Sequence, residues 1–150
     1  VPRGPNQTAL IRHAFPCLQL VCTDFLASLS PQCLGRCIRL LGCYGHQPCD
    51  VNVALTAIGL FWNFSDFLQT TRGAAVDSPA PAGDLTQHPL STCDQLWLLL
   101  LHRLSILCVD QRPEVRNGAS RTLYRTLDLH GHALNGTVWE LIFWHILYPL

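Results

Sequence analysis

Eight cysteines and seven histidines carry most of the side-chain chemistry in this sequence. Five of them crowd one stretch: Cys33, Cys37, Cys43, His46 and Cys49. Thiolate and imidazole are the ligands Zn²⁺ takes, four at a time. The spacing does not suit a zinc knuckle, which pairs cysteines two to four residues apart, twice over. The competing reading is blander. Most cysteines here neighbour Leu and Val on apolar helical faces, where a free thiol packs as a small hydrophobe. Reduced thiols are therefore expected rather than a disulfide framework or a metal site. Sequons at Asn6, Asn63 and Asn135 do not alter this, because Asn63 lies in the most apolar helix, where a glycan has no room.

Other chemistry is sparse. His130 and His132 flank Gly131 with no Cys or carboxylate beside them, which reads as a solvated turn. No Ser/His/Asp or Cys/His arrangement follows from spacing, and no glycine-rich phosphate loop is present. Glu114 and Glu140 are the only glutamates, and neither belongs to an acid/base pair. No enzyme, cofactor or small-molecule substrate is expected. Net charge is zero, and every basic residue is Arg. Arg112, Arg116, Arg121 and Arg125 are diluted by Asp110, Glu114 and Asp128, too mixed a cluster for nucleic-acid phosphates.

The most informative motif is a turn, Asp110-Gln-Arg-Pro-Glu-Val115-Arg116. A turn between two packed helices must stop one, start the next and fix their angle. Asp110 can accept hydrogen bonds from the free N–H groups at the start of the second helix. Pro113 pre-sets the first turn and needs no donor partner. Val115 begins the buried stripe. Arg116 can reach an aspartate or turn of an adjacent hairpin, forming a ladder. Asp, then Pro, Val and Arg ahead of a small residue, here Ala119, is the pattern of HEAT-repeat turns.

The elements around it are helical, because apolar residues recur at three- and four-residue steps and no alternating pattern persists. A first helix is predicted from near Pro16, carrying Leu18, Val21, Cys22 and Phe25. A second follows Ser30-Pro31, a cap and first-turn proline, and ends around Gly42 to Gly45. A third, Val51 to Leu68, is capped by Asp50 and apolar almost all round, so it is placed centrally. Its exception, Asn63, is expected to be a buried polar residue bonded to a neighbouring turn. Residues 72–92, rich in Pro, Gly and Ala, are expected to form a flexible loop. A fourth helix runs Asp94 to Val109, a fifth Pro113 to Leu129, and a sixth is capped by Thr137. Trp62, Trp97, Trp139 and Trp144 fall at apolar positions and read as core more readily than as interface anchors.

Six helices with short connections make three hairpins of a HEAT/armadillo-like, all-α array. Hydrophobic residues are 49% and charged residues 13%, against about 25% charged in ordinary soluble domains. Such a balance suits a slice of a helical-repeat array with exposed end faces. The lack of Met and the helical pattern still running at Val138 to Leu150 also suggest an internal piece of a longer chain. One fragment, 1–150, is expected. The apolar runs Val51 to Trp62 and Leu96 to Leu101 fall short of the roughly eighteen residues that span a bilayer.

Finally, "LTAIGLFWNFSDF" (Leu55 to Phe67), "CDQLWLLLLHRLSILCVDQRPEVRNGASRTLYRTLDLHG" (Cys93 to Gly131), "TVWELIFWHILYPL" (Thr137 to Leu150) and "CLQLVCTDFL" (Cys17 to Leu26) resemble the middle region of the Mon-two (monensin-sensitivity two) trafficking proteins. The resemblance implies a cytoplasmic helical scaffold, peripheral at trans-Golgi network and endosome membranes. It implies a role in endosome–Golgi transport, pairing with a Dopey-type protein, and kinship to the large ARF guanine-nucleotide exchange factors without their catalytic Sec-seven domain. It supplies no catalytic residues, and its HEAT-type turn maps onto Asp110, Pro113, Val115 and Arg116. The alternatives are a regulatory helical segment of a true ARF exchange factor and, from another class, a small zinc-binding module.

Overall fold

The computed structural model describes residues 5–76 and 90–150, and among them the secondary structure is helical throughout. The helices are α1 (Pro5–Asp24), α2 (Pro31–His46), α3 (Val51–Val76), α4 (Thr92–Cys108), α5 (Pro113–His130) and α6 (Gly136–Ile142). One π-helical turn, Phe143–Leu147, extends α6, closed by the Tyr148 N–H donating to the Phe143 carbonyl at 2.8 Å.

Most starts follow from local chemistry. The Ser30 hydroxyl accepts from the Cys33 N–H, and Pro31 occupies the first turn of α2. Asp50 caps α3, taking the N–H groups of Asn52 at 2.9 Å and Val53 at 3.3 Å. Ser91 and Asp94 form a reciprocal capping box on α4. Three boundaries differ from expectation. α1 begins at Pro5 and carries Pro16 in its interior, where the ring has no N–H to offer Arg12. Asn135, not Thr137, caps α6 by accepting from the Val138 N–H at 2.9 Å. α3 continues to Val76, into the stretch expected to be loop; residues 77–89 of that stretch lie outside the described residues.

The helices form two layers. α1, α3 and α5 pack side by side in one; α2, α4 and α6 form the other. Neighbours within a layer run parallel. Gly35 of α2 faces Leu96 and Leu99 of α4, Gly42 faces Arg103, and Gly45 faces Leu107. Likewise Gly118 of α5 faces Leu55 and Ile58 of α3, and Trp62 meets His130. Each α2–α3 and α4–α5 pair is therefore an antiparallel hairpin, and the second stacks in register on the first. Close approach of α2 to α4 depends on Gly45, where an added Cβ would sit 2.7 Å from the Leu107 side chain.

α3 touches α1, α2, α4 and α5, the central place expected for it. Ala54, Ala57, Ile58, Phe61, Phe64 and Leu68 are buried along it. Opposite them Leu100, Leu101, Leu104 and Leu107 of α4 and Val115, Ala119 and Leu123 of α5 close the core. The apolar stretch of α3 is longer than expected: Val51–Thr71, 21 residues, is long and apolar enough by length and composition to cross a bilayer. α1, α2, α4 and α5 pack against it and bury 44% of that stretch.

Candidate functional site

The densest polar constellation lies where the two hairpin corners meet. The α2–α3 corner, Gln47 to Asp50, is closed by one side chain. Gln47 Oε1 accepts from the N–H groups of Cys49 at 2.8 Å and Asp50 at 2.9 Å, while Nε2 donates to the Asp50 carbonyl at 2.6 Å. The α4–α5 corner is closed by Asp110. Its Oδ1 accepts from both the backbone N–H and the Nε of Arg112 at 2.9 Å, and its Oδ2 accepts from Nη2 at 2.8 Å.

Arg112 then joins the corners. Nη1 donates to the Gln47 carbonyl at 2.7 Å; Nη2 donates to the Gly45 carbonyl at 3.0 Å and the His46 carbonyl at 3.3 Å. These carbonyls end α2, have no helical N–H to meet them, and sit at the negative end of its dipole. A planar guanidinium with forked donors fits three carbonyls and a carboxylate together, which an ammonium cannot. On the other side Arg12 of α1 donates to Asp50 Oδ2. A polar line thus runs from α1 through the first corner to the second.

The electrostatics follow the contacts. The Arg112 guanidinium and N–H hold the Asp110 carboxyl down to about 2, against the opposing effect of burial. The paired carboxylate raises Arg112 in turn. Arg12 and the two capping N–H groups lower Asp50. His46 stands 3.8 Å from Asp110 and is mostly exposed, so it adds an ion pair only when protonated.

The turn residues therefore come together, with roles redistributed. Pro113 does start α5, and Val115 is fully buried. Asp110 accepts from Arg112 rather than from the deeper amides of the helix, and the N-cap position is Arg112 itself, without a side-chain cap bond. Arg116 folds back on its own turn, donating to the Asp110 carbonyl at 3.1 Å. The ladder expected of Arg116 is carried by Arg112, because an N-cap side chain leaves along the corner while a first-turn residue points back over it. Asn63 is half-buried and lines a shallow cavity with Trp62 and Asp66. The buried polar residue of α3 is Ser65, whose hydroxyl donates to the Trp62 carbonyl at 2.8 Å.

At the opposite end of the hairpins the contacts are aromatic. His130 is buried, not in a solvated turn: its ring stacks on Trp62 at 4.8 Å and meets the edge of Trp97 at 6.0 Å. Arg125 lies over the Trp62 ring, 4.4 Å from its centroid. His130 Nδ1 has no hydrogen-bond partner among the described residues, and burial lowers its proton affinity. Trp139 completes this end, donating from Nε1 to the Gly131 carbonyl at 3.0 Å. Of the four tryptophans Trp97 is fully buried, Trp62 and Trp139 are half-buried, and Trp144 is exposed, contrary to its core assignment.

The cysteine-rich stretch converges on nothing. Cys17, Cys22, Cys33, Cys37, Cys43, Cys49 and Cys108 are free thiols, and among the described residues no three His, Cys, Asp or Glu side chains come together as a metal site. Burial pushes the Cys22 thiol up to about 12 and raises Cys37 and Cys108, the reverse of what a reactive thiolate needs.

Comparison with known proteins supplies the family. The model of the C-terminal region of Mon2 protein matches residues 23–150. The Drosophila melanogaster MON2 homolog is 41% identical over 146 residues, covering 94% of this chain and 9% of that protein. The Homo sapiens MON2 homolog is 36% identical over 163 residues, 99% of this chain and 9% of that protein. A shorter match, 41% over 54 residues and 36% of this chain, is to brefeldin A-inhibited guanine nucleotide-exchange protein 2 of Arabidopsis thaliana. The chain spans about 9% of the length of the MON2 relatives it matches. No solved structure matches it. With the matched region covering most of its length, the chain belongs to the Mon2 protein family.

Proposed function

We propose that this chain is a non-catalytic scaffold segment of a Mon2-family protein, a piece of an α-solenoid of HEAT type. The parent would act peripherally at trans-Golgi network and endosome membranes in endosome-to-Golgi transport, with a Dopey-type protein among its partners. The observation that carries the scaffold reading is the Arg112 bridge. It spends a whole guanidinium on fixing the angle between successive hairpins, which is what a shape-holding array requires and what a catalytic site does not. Family membership supports the trafficking reading.

The test uses the full-length parent in cells lacking it. Wild-type parent should restore retrieval of an endosome-to-Golgi cargo and co-purify the Dopey-type protein; Arg112→Ala should weaken both. Restored retrieval and full co-purification with that variant would contradict the reading. The partial match to an exchange protein supports a second reading, a regulatory segment of an ARF exchange factor. Nucleotide exchange on an ARF GTPase that changes when the segment is deleted from its parent would favour it.

A further inference from the structure

The chain is neutral as a whole, but its charges are divided unequally between the two layers. α1, α3 and α5 carry Asp24, Asp66, Glu114 and Asp128 beside their arginines. α2 has no acidic residue, α4 has only the buried capping Asp94, and α6 has only Glu140. The arginines differ accordingly. Arg12 and Arg112 meet carboxylates, Arg116 a carbonyl, and Arg125 an indole. Arg36 and Arg39 of α2 are exposed and pair with no carboxylate among the described residues.

Both line one groove of about 530 Å³ between α2 and the start of α4. Gly35 leaves its floor open to the side chains of Leu96 and Leu99, which lie 3.7 and 3.8 Å from where a Cβ would stand. Gln32, Thr92 and Gln95 edge it. The groove is concave, with two fixed cations, an apolar floor and amide side chains that can bond a peptide backbone. A flat anionic bilayer suits it poorly, since lipid-binding basic patches gather four to eight cations. Two arginines also fall short of a nucleic-acid stripe.

We infer that this groove docks an acidic segment of a partner protein, with Asp or Glu carboxylates on Arg36 and Arg39 and an adjoining apolar side chain on Leu96 and Leu99. The inference rests on the scaffold reading and names the chemistry of one partner. A forked guanidinium takes a carboxylate bidentately, so paired arginines one helical turn apart favour carboxylates at matching spacing.

The probe is a fluorescein-labelled Glu-Leu-Glu-Glu-Leu-Glu peptide, titrated into the 150-residue chain at low salt and followed by anisotropy. Saturable binding is expected, weakened about tenfold or more by Arg36→Gln with Arg39→Gln and about unchanged by Arg121→Gln on α5. A peptide with Ser for Leu should bind more weakly. Circular dichroism melts verify that the exposed substitutions leave the fold intact. Equal affinity in the double variant, or an equal loss with Arg121→Gln, would overturn the inference. So would arginine-dependent flotation on phosphatidylserine vesicles without peptide binding, which would hand the face to a lipid surface. The scaffold reading fails separately, through Arg112 and cargo retrieval in the full-length parent.

Discussion

The two ends of the stacked hairpins are held by opposite kinds of force. At the corner end, Arg112 ties three backbone carbonyls and one carboxylate into a charge-assisted knot. At the far end, Trp62 and Trp97 pack as rings on His130, whose buried Nδ1 has no hydrogen-bond partner among the described residues. Hydrogen bonds at the corner set direction, because donors and acceptors must align. Ring packing at the far end supplies area and tolerates small rotations. A helical stack thus has its angle fixed at one end and its cohesion drawn from the other.

That contrast can be broken in several ways. The largest effect is expected from Trp97→Ala, which empties the largest fully buried side chain and should cost about 3–5 kcal/mol in urea unfolding. Gly131→Ala should follow. Its new Cβ would stand 2.6 Å from the Trp139 ring and displace the indole that donates to the Gly131 carbonyl, for about 1–3 kcal/mol by the same measurement.

The two ends should also respond to acid in separate windows. His130 takes up a proton less readily folded than unfolded, chiefly through burial, with His132 adding to the effect and Asp66 opposing it. Its stabilising contribution is complete above its ordinary value of 6.5 and declines as pH falls below it. Asp110 is also depressed, so its contribution is complete above 3.8 and is lost only as pH falls toward about 2. Stability measured from about pH 7 to 5 should therefore slope downward in wild type and flatten in His130→Gln, with the Asp110 loss confined to stronger acid. The smallest effect belongs to Arg12→Ala. Its side chain is 62% exposed, and its ion pair with Asp50 should be worth at most about 1 kcal/mol in chemical unfolding.

The sequence spoke most clearly where one residue decides one local event. Ser30 before Pro31, Asp50 before an apolar run and Pro113 at a helix start act on their own neighbours, and each does so here. It spoke poorly where the outcome depends on a distant element. Pro16 reads as a helix start, but packing of Phe15 on Tyr44 helps hold helix on both sides of it. His130 reads as solvated until Trp62 and Trp97, far away in the chain, close over it. Asn63 and Ser65 differ by two positions on a helix apolar all round, so periodicity alone could not say which one faces inward. Arg112 and Arg116 are equally good ladder candidates by composition. Only the position of the α2 carboxyl end separates them, and that is a tertiary fact.

The division of labour between those two arginines is the most direct test. Urea unfolding of Arg112→Ala and Arg116→Ala, with equal slopes confirming a common unfolded state, compares them in one experiment. The Arg112 variant leaves three helix-end carbonyls without their donor and the mostly buried Asp110 carboxylate with only the backbone N–H of residue 112, and it should lose about 2–3 kcal/mol. The exposed Arg116 variant gives up one bond to a carbonyl of its own turn and should lose less than about 1 kcal/mol. An Arg116 variant as unstable as the Arg112 variant, or an Arg112 variant as stable as wild type, would contradict the account of how one hairpin is fixed on the next.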